Sequence, residues 1–432
     1  MKLLSYDIKF DDINSIYAKK IFPNKCQLLI EKLPWSFTTS IGVWVKVGSK
    51  YDKEDEKGLS HLIEHLLFRG TQNRSAQEIV NYMESVGGEI NAFTERELTC
   101  FSVKILKGDV QRGIELLYDL VAKPLFNDED IAKEKEIVKR EIEEQEEDYH
   151  LRVHDLLIKN MYPNSLGYHI YGDKKNLDNL SKEKIENFYR KFYIPENIAI
   201  SVTGNFDESL IEDLVKRTFA SLPTSHFSPN QLIVPTIKRN LSFFEKDVEQ
   251  TYFCLGTEGL KQTDPDRVIM FVISSLLGEG MSSRLYKKVR EEFGLAYTIY
   301  SYYTLYVETG AFLITGITQN GQLKSVLEIL KNELYNICNF KVSKEELNMA
   351  KAKLQGNFFF NLEQVANRMI RLSKLNDWHG RHYSITEELK MIEIISIDDV
   401  VRVADRLFKS DNWNLSIIGR NLEINLKEMF VL

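Results

Sequence analysis

The sequence of 432 residues has few of the features that mark an exported or membrane-embedded protein. It contains only four cysteines, which are Cys26, Cys100, Cys254 and Cys338. Their wide spacing does not match a cysteine metal site, and scattered thiols are typical of a reducing compartment. The longest apolar run, residues 268–277, is too short to cross a bilayer, and charge at Asp7 is not typical of a signal peptide. We therefore predict a cytoplasmic protein without a transmembrane segment.

An excess of basic residues is also lacking, because 56 Lys and Arg stand against 63 Asp and Glu, a net charge of −7. The acidic excess lies within residues 1–220. This argues against a nucleic acid partner. It is equally compatible with positively charged substrates and with a solvated acidic surface. A hydrophobic content of 43% with 28% charged residues is typical of a globular protein, and the length predicts about two to four domains.

The most informative stretch, of sequence HLIEH, runs from His61 to His65 between Gly58 and Gly70. Apolar residues recur around it at helical spacing, so we predict a short, largely buried helix. Residues four apart lie on one face of a helix, which lets His61 and His65 bind one metal ion. Glu64 can then take a proton from a water that the metal acidifies. Zinc is the expected metal, because paired imidazoles suit it.

The order His-x-x-Glu-His is the inverted form of the commoner zinc-peptidase motif His-Glu-x-x-His. The alternative is a core helix in which both histidines hydrogen-bond backbone carbonyls and Glu64 lies at the solvent edge. Five residues do not separate these two interpretations, so the rest of the chain has to decide.

A long helix is predicted from about Glu129 to Met161. Residues 128–148 hold eleven carboxylates, and most of them are expected on a solvated face. Glu134 and Glu141 are two helical turns apart and project from the same face, so that one can bind metal while the other supports it. For Glu134 the alternative is a plain surface carboxylate.

A second pair of histidines, His150 and His154, is also four residues apart on this long helix. No base and no third ligand accompany them, so we expect surface residues rather than a second metal site.

The two halves of the chain have a similar order of strands and helices. Three of the nine prolines, Pro223, Pro229 and Pro235, mark a linker between them. We predict an α+β protein of two homologous mixed α/β domains, each a sheet with helices packed on it, which indicates an internal duplication. The domains are residues 1–221 with the metal site and 238–432 without one, joined by the linker 222–237. No histidine occurs between His226 and His379, so the second domain cannot rebuild the site.

Taken together, these features resemble the pitrilysin/insulinase family of zinc metallopeptidases, specifically its half-length branch, which includes the mitochondrial processing peptidase subunits and bacterial relatives. The resemblance covers nearly the whole chain. It rests on HLIEH with the following FRGT at 68–71, on NAFT at 91–94, on EKEIVKRE at 134–141, on SRL at 283–285 and on REEFGLAY at 290–297.

The resemblance implies one Zn²⁺ per chain, bound by His61, His65 and Glu141, with Glu64 as the general base and Glu134 as a supporting partner. Such a His2Glu site with an open fourth position is a catalytic arrangement. The implied activity is hydrolysis of peptides or unfolded polypeptide segments inside a closed chamber, of which this chain forms one half of a clamshell. A catalytically silent assembly or scaffold subunit is the alternative, although silent members typically lose the residues that are intact here.

The resemblance also implies two further groups of functional residues. Asn91, Ala92, Phe93 and Thr94 would form an edge strand that pairs with an extended peptide; an ordinary hairpin strand is the alternative. Arg290 and Tyr297 would stabilise the peptide carbonyl as it becomes an oxyanion, acting on the zinc site of a partner chain. Otherwise Arg290 is a surface ion-pair residue and Tyr297 a core aromatic. We therefore expect a homodimer, with a heterodimer of related subunits as the alternative.

Overall fold

The computed structural model describes residues 15–224, 237, 239–409 and 412–420. The described part of the first half contains six strands and eight helices. The strands are β1 (Ile16–Ile21), β2 (Gln27–Lys32), β3 (Thr38–Val45), β4 (Glu89–Thr94), β5 (Thr99–Leu106) and β6 (Ile198–Gly204). The helices are α1 (Leu59–Leu67), α2 (Ala76–Glu84), α3 (Val110–Ala122), α4 (Asp128–Glu147), α5 (Tyr149–Met161), α6 (Lys174–Asp178), α7 (Lys182–Phe192) and α8 (Glu208–Arg217).

The six strands of the first half form one sheet in the order β1-β2-β6-β3-β5-β4. Strands β2 and β6 are parallel, and the other neighbours are antiparallel. All seven residues of β6 are buried, as expected for a strand that is covered on both faces. Strand β4 lies at the edge, where it pairs only with β5 among the described strands.

The described part of the second half contains five strands, six α-helices and a π-helical segment at Tyr286–Glu292. The strands are β7 (Asn240–Glu245), β8 (Gln250–Glu258), β9 (Ala296–Leu305), β10 (Gly310–Gln319) and β11 (Asn414–Gly419). The helices are α9 (Arg267–Gly278), α10 (Leu323–Cys338), α11 (Lys344–Glu363), α12 (Val365–His379), α13 (Ile385–Glu393) and α14 (Ile397–Phe408).

The second sheet repeats the topology of the first. Its order, β7-β11-β8-β10-β9, matches β2-β6-β3-β5-β4, and its single parallel pair, β7 with β11, corresponds to β2 with β6. Helices α9 and α11 occupy the places in the chain order that α1 and α4 have in the first half. The prediction of two homologous α/β units is therefore confirmed at the level of topology, although β1 has no counterpart among the described strands.

Each sheet is covered on one face by a helix from the other half. Helix α5 packs on β8 and β11 of the second sheet, whereas α12 packs on β2, β3 and β6 of the first. The prediction of one continuous helix from Glu129 to Met161 is wrong, because the chain leaves helical geometry at Asp148. The Asp148 side chain accepts hydrogen bonds from the backbone N–H groups of His150 and Leu151 and so caps α5.

The predicted linker at 222–237 lies largely outside the described residues, which include only 222–224 and 237 of it. In the part of the chain that the structure describes, no helix combines the length and the apolar character that a membrane span needs.

Candidate metal centre and active site

Helix α1 begins at a fixed point because its amino terminus is capped from outside. Gly58 precedes the helix with a φ of +88°, a conformation that favours glycine. The buried Asp52 carboxylate accepts hydrogen bonds from the N–H of Gly58 at 2.9 Å and from the hydroxyl of Ser60 at 2.6 Å. A carboxylate at this end also complements the helix dipole. The helix is largely buried, as predicted, with His61 in its first turn.

The three residues predicted to bind metal lie together. Ligand atoms of His61, His65 and Glu141 are all within 4.8 Å of one another. The Glu141 Oε2 atom is 3.9 Å from His61 Nε2 and 3.6 Å from His65 Nε2. Helix α4 packs on α1 and thereby brings Glu141 to the two histidines. In the described part of the chain this is the only group of three or more such side chains.

Glu134 is buried beside the cluster and is not a solvated surface carboxylate. Its side chain is 2% exposed, and its Oε2 atom is 2.9 Å from His65 Nδ1. An ion pair with Arg69 holds the second oxygen of the same carboxylate. A carboxylate on the remote nitrogen fixes the tautomer of a metal-binding histidine and directs the other nitrogen to the metal. His65 Nε2 therefore faces Glu141.

The donor set and the geometry fit zinc. Tetrahedral zinc with bonds of about 2.0–2.1 Å places its ligand atoms roughly 3.4 Å apart, close to the two distances to Glu141. The Glu141 Oε2 atom is buried and has no hydrogen-bond partner among the described residues. Burial, together with His65 and His169, lowers the pKa of His61 to about 3, so its imidazole is neutral and able to bind metal.

His65 differs from His61 in its electrostatic surroundings. Burial by itself lowers the pKa of His65, but the hydrogen bond to Glu134 and the charges of Glu141 and Glu64 outweigh it and raise the pKa. The same three carboxylates would favour a divalent cation at this place, since their negative charges are otherwise only partly neutralised.

Glu64, the predicted base, is placed beside the cluster by the edge strand of the first sheet. The hydroxyl of Thr94 donates a hydrogen bond of 2.5 Å to Glu64 Oε2. Burial raises the pKa of Glu64, and Glu141 adds to this effect, whereas the Thr94 hydrogen bond and His65 oppose it. A raised pKa makes the carboxylate a stronger base.

The four residues predicted to contact a peptide, Asn91, Ala92, Phe93 and Thr94, all lie in β4 at the free edge of the first sheet. Thr94 is therefore both the last residue of this strand and the hydrogen-bond donor to Glu64. Among the described strands, only β5 pairs with β4, so the other edge of β4 takes part in no strand pairing there.

Arg290 and Tyr297 are brought together in the second half of the chain. The Arg290 guanidinium lies 4.8 Å from the centre of the Tyr297 ring. Arg290 belongs to the π-helical segment and Tyr297 to the start of β9, on either side of Gly294 with a φ of +62°. Tyr297 is 74% exposed, so it is not a core aromatic. Among the described residues, neither side chain forms a polar or ring contact with His61, His65 or Glu141.

The expectation that His150 and His154 are surface residues is wrong. Both are half-buried between α5 and β9. His154 hydrogen-bonds the hydroxyl of Tyr302, and His150 Nε2 is 3.4 Å from the hydroxyl of Tyr300. Burial lowers the pKa of His154 to about 4. The exposed face predicted for them is covered because α5 packs on the sheet of the other half.

Sequence reasoning missed one aromatic side chain at the site, Tyr171. Its ring lies against that of His61, with centroids 4.4 Å apart and an angle of 31° between the planes. The only signal in the sequence is a Tyr-Gly pair after His169, which is too short to indicate a role.

The sheet topology and the inverted motif point to one class, the zinc peptidases with a His-x-x-Glu-His helix, and comparisons with known families identify the family. Residues 28–174 match Insulinase (Peptidase family M16), and residues 179–354 match the Peptidase M16 inactive domain. The chain belongs to peptidase family M16. The inactive-domain match includes residues 238–354 of the second half, whose described residues hold no metal cluster.

Several bacterial relatives match over most of their length. The uncharacterized zinc protease YmxG of Bacillus subtilis is 32% identical over 397 residues, which cover 92% of this chain and 96% of the relative. An uncharacterized zinc protease of Rickettsia felis is 32% identical over 400 residues, with the same coverage of 92% and 96%.

Two solved structures share the fold. A protease from Helicobacter pylori superimposes with a TM-score of 0.86 at 21% identity and covers 94% of this chain and 99% of its own. The peptidase M16 inactive domain from Pseudomonas fluorescens gives a TM-score of 0.87 at 20% identity, with coverage of 94% and 98%. At this level of identity the two structures support the fold alone.

Proposed function

We propose that the chain is a zinc-dependent endopeptidase that hydrolyses peptides or unfolded polypeptide segments, with Glu64 as the general base. The observation that carries this proposal is the convergence of His61, His65 and Glu141, beside which Thr94 holds Glu64. The names of the bacterial relatives, zinc proteases, agree with it. A His2Glu donor set is also the set that hydrolytic zinc sites use.

The proposed reaction assigns a proton transfer to Glu64. Bound zinc would supply Lewis-acid chemistry, which acidifies water and polarises the scissile carbonyl. Glu64 takes the proton of the attacking water and returns it to the leaving amine, the ordinary task of a general base in hydrolysis. Its raised pKa makes the carboxylate a stronger base for the first of these transfers. Glu134 holds the ring of His65 in the orientation that this arrangement needs.

Substrate binding is assigned to the free edge of β4. An extended peptide can add to such an edge through backbone hydrogen bonds, which demand little of its sequence. Only an unfolded or flexible segment can adopt this geometry. The proposal therefore includes selection by conformation and size: peptides are cut, and stably folded proteins are spared because they do not enter a closed chamber.

The chamber and the second pair of residues require a partner chain in this proposal. We assign Arg290 and Tyr297 to the zinc site of the partner in a homodimer, since Tyr297 is exposed, Arg290 is partly exposed, and among the described residues neither contacts His61, His65 or Glu141 of its own chain. A guanidinium and a phenol can serve as donors to an oxyanion. We also assign the protein to the cytoplasm, because four scattered, buried thiols suit a reducing compartment.

A catalytically silent assembly subunit is the second candidate, because the second half matches a family described as inactive. The intact set of His61, Glu64, His65 and Glu141 opposes it. The two candidates differ in one respect that is simple to measure, the cleavage of peptides by the zinc-loaded protein.

The test is digestion of a diverse peptide library by the zinc-loaded wild type and by Glu64→Gln, followed by mass analysis of the products. The proposal predicts internal cleavage by the wild type and none by the variant, which keeps its zinc because no ligand is lost. Glu84→Gln, a substitution of an exposed carboxylate on α2, is the matched control and should cleave like the wild type. Equal products from wild type and Glu64→Gln would contradict the assigned base.

A further inference from the structure

Tyr171 lies at the candidate metal centre and has no part in the reaction as assigned so far. Its ring packs on that of His61, and the side chain is half-buried. It belongs to the same chain as the histidine that it contacts, unlike the Arg290 and Tyr297 of a partner. Its position can therefore be judged from one chain alone.

The backbone that carries Tyr171 is fixed against the start of α1. Gly172 has a φ of +78°, and a Cβ atom on it would lie 2.4 Å from the carbonyl oxygen of Lys57. A Cβ atom on Gly58 would lie 2.6 Å from the carbonyl oxygen of Tyr171. Two glycines thus allow the segment to approach the helix closely, so the position of the Tyr171 ring is set by backbone contact.

A partly buried polar network holds the other side of the segment. His169 Nδ1 accepts a hydrogen bond from the backbone N–H of Tyr171 at 3.3 Å. His169 Nε2 is 3.1 Å from the carboxylate of Asp155 on α5. Arg96, in the turn that follows β4, lies 3.6 Å from the same carboxylate. The segment is thereby tied to α5 and to the turn after the substrate strand.

The hydroxyl of Tyr171 has no hydrogen-bond partner among the described residues. The centre of its ring lies 4.4 Å from that of the His61 ring, so the phenol is placed against one of the candidate metal ligands. A phenol with an ordinary pKa near 10 is already protonated at neutral pH. A hydrogen-bond donor without a partner is therefore held beside a candidate metal ligand.

We propose that the Tyr171 hydroxyl donates a hydrogen bond to the carbonyl oxygen of the scissile peptide bond as negative charge develops on it. This inference rests on the proposed function. In that step the water oxygen bonds to the carbonyl carbon, the C=O π pair moves to the oxygen, and Glu64 takes the proton. When the C–N bond breaks, Glu64 returns that proton to the nitrogen. Tyr171 gives up no proton and acts as a fixed dipole.

The assignment has a consequence for the partner residues. If Tyr171 supplies a donor within the chain, the loss of Arg290 and Tyr297 lowers the rate but does not remove all stabilisation of the oxyanion. The competing explanation is that the ring only packs on His61 and fixes its orientation. Tyr171→Phe separates the two, because it keeps the ring and removes the hydroxyl.

The matched control is Tyr168→Phe, three residues earlier in the same segment. The Tyr168 hydroxyl also has no partner among the described residues, but its ring packs under Lys57 at 4.5 Å, and Glu54 is the carboxylate that acts on it. Both variants lose one unpaired hydroxyl from one segment. Of the two, only Tyr171 contacts a candidate metal ligand, His61, so only Tyr171→Phe is expected to change catalysis.

The experiment measures kcat, KM and zinc stoichiometry for zinc-loaded wild type, Tyr171→Phe and Tyr168→Phe, together with the affinity for a phosphinic peptide that mimics the tetrahedral intermediate. We expect kcat of Tyr171→Phe to fall by about 10²-fold, the loss that follows removal of one oxyanion donor. The phosphinic peptide should bind more weakly by a similar factor, with KM and zinc content unchanged. Tyr168→Phe should match the wild type.

Equal kcat and equal phosphinic-peptide affinity in Tyr171→Phe and Tyr168→Phe would overturn this assignment and leave the proposed function standing. A loss of zinc in Tyr171→Phe would also overturn it, in favour of a packing role for the residue. If the zinc-loaded wild type itself cleaves no peptide, the proposed function fails, and this inference fails with it.

Discussion

The carboxylates around the candidate metal centre differ in what surrounds them, and this decides their expected roles. Glu134 is buried and engaged by His65 and Arg69, whereas the Glu141 side chain is 34% exposed and has an unpaired Oε2 atom turned to both histidines. We expect Glu141→Gln to lose most of its zinc affinity, because an amide is a poor ligand for a divalent cation. Glu134→Gln should bind zinc about 10- to 100-fold more weakly.

The measurement is competition with a chromogenic chelator at fixed pH. Glu143→Gln is the control, since Glu143 lies on the same helix and pairs only with Lys174 at the surface. Undiminished affinity in Glu141→Gln would show that another carboxylate completes the site. A value for Glu134→Gln equal to that of the control would reduce Glu134 to an ion-pair partner of Arg69.

Thr94 gives a second prediction at the scale of single residues. Its hydroxyl orients the Glu64 carboxylate, so Thr94→Val should lower kcat by about tenfold, the value of one hydrogen bond to a charged group. Zinc affinity should not change, and Thr94→Ser, which keeps the hydroxyl, should restore the rate. A Thr94→Val enzyme with wild-type kcat would mean that packing alone positions Glu64.

Some of these residues can be predicted from the sequence and others cannot, for a physical reason. His61 and His65 are four residues apart with Glu64 beside them, and Glu134 and Glu141 are seven residues apart. The helical period alone therefore places each pair on one face of its helix. The contact of Thr94 with Glu64 and that of Tyr171 with His61 join separate elements. Such contacts depend on tertiary packing, which periodicity does not encode.

Ion pairs hold α12, a helix of the second half of the chain, against the sheet of the first half. Arg368 of α12 forms an ion pair of 2.5 Å with Glu31 of β2, and both side chains are at most 3% exposed. Lys374 on the same helix pairs with Glu95 at 2.7 Å, one residue beyond Thr94. These two ion pairs therefore join α12, in the second half of the chain, to β2 and to the residue that follows β4.

Removal of one partner from this buried pair should be costly. Arg368→Met leaves Glu31 buried without a counter-charge, and we expect a loss of about 3–5 kcal/mol in the free energy of unfolding. Arg190→Met, which breaks the exposed pair with Glu186, should cost only about 0–1 kcal/mol. Urea unfolding followed by tryptophan fluorescence measures both.

A second substitution provides the internal check for that prediction. Glu31→Leu added to Arg368→Met removes the stranded carboxylate and should recover much of the stability, because buried ion pairs can be replaced by apolar residues of similar volume. If Arg368→Met is no less stable than Arg190→Met, the ion pair of Arg368 with Glu31 does not hold the two halves together.

The elements themselves were largely predictable, with informative exceptions. Segments such as α3 and α7 have a strong helical periodicity, which is readable from the sequence. Strand β1 was not predicted; it is an edge strand whose residues are exposed or only partly buried. The break between α4 and α5 was missed because residues on both sides have helical spacing, and only the capping geometry of Asp148 reveals the boundary.

The duplicated topology places the candidate metal ligands His61, His65 and Glu141 in the first half of the chain and the Arg290–Tyr297 pair in the second half. In a homodimer each zinc site would then combine two chains. We predict that subunit exchange between Glu64→Gln and the double variant Arg290→Ala, Tyr297→Phe restores activity, since mixed dimers contain one complete site.

The control for this complementation is a triple variant, with all three substitutions in one chain, mixed with Glu64→Gln. Such mixtures contain no intact base and should stay inactive. Absence of recovery in the first mixture, despite exchange proven by differently tagged chains, would rule out action in trans.

We propose that zinc bound by His61, His65 and Glu141 makes this chain an endopeptidase. The most direct measurement is a zinc titration of the metal-depleted wild type, with hydrolysis of an internally quenched peptide followed at each addition. The account predicts that activity rises in proportion to added zinc and reaches a plateau at one equivalent per chain, while Glu64→Gln binds the same equivalent and stays inactive. Stoichiometric zinc binding by the wild type without any peptide cleavage would contradict the account and identify a silent subunit.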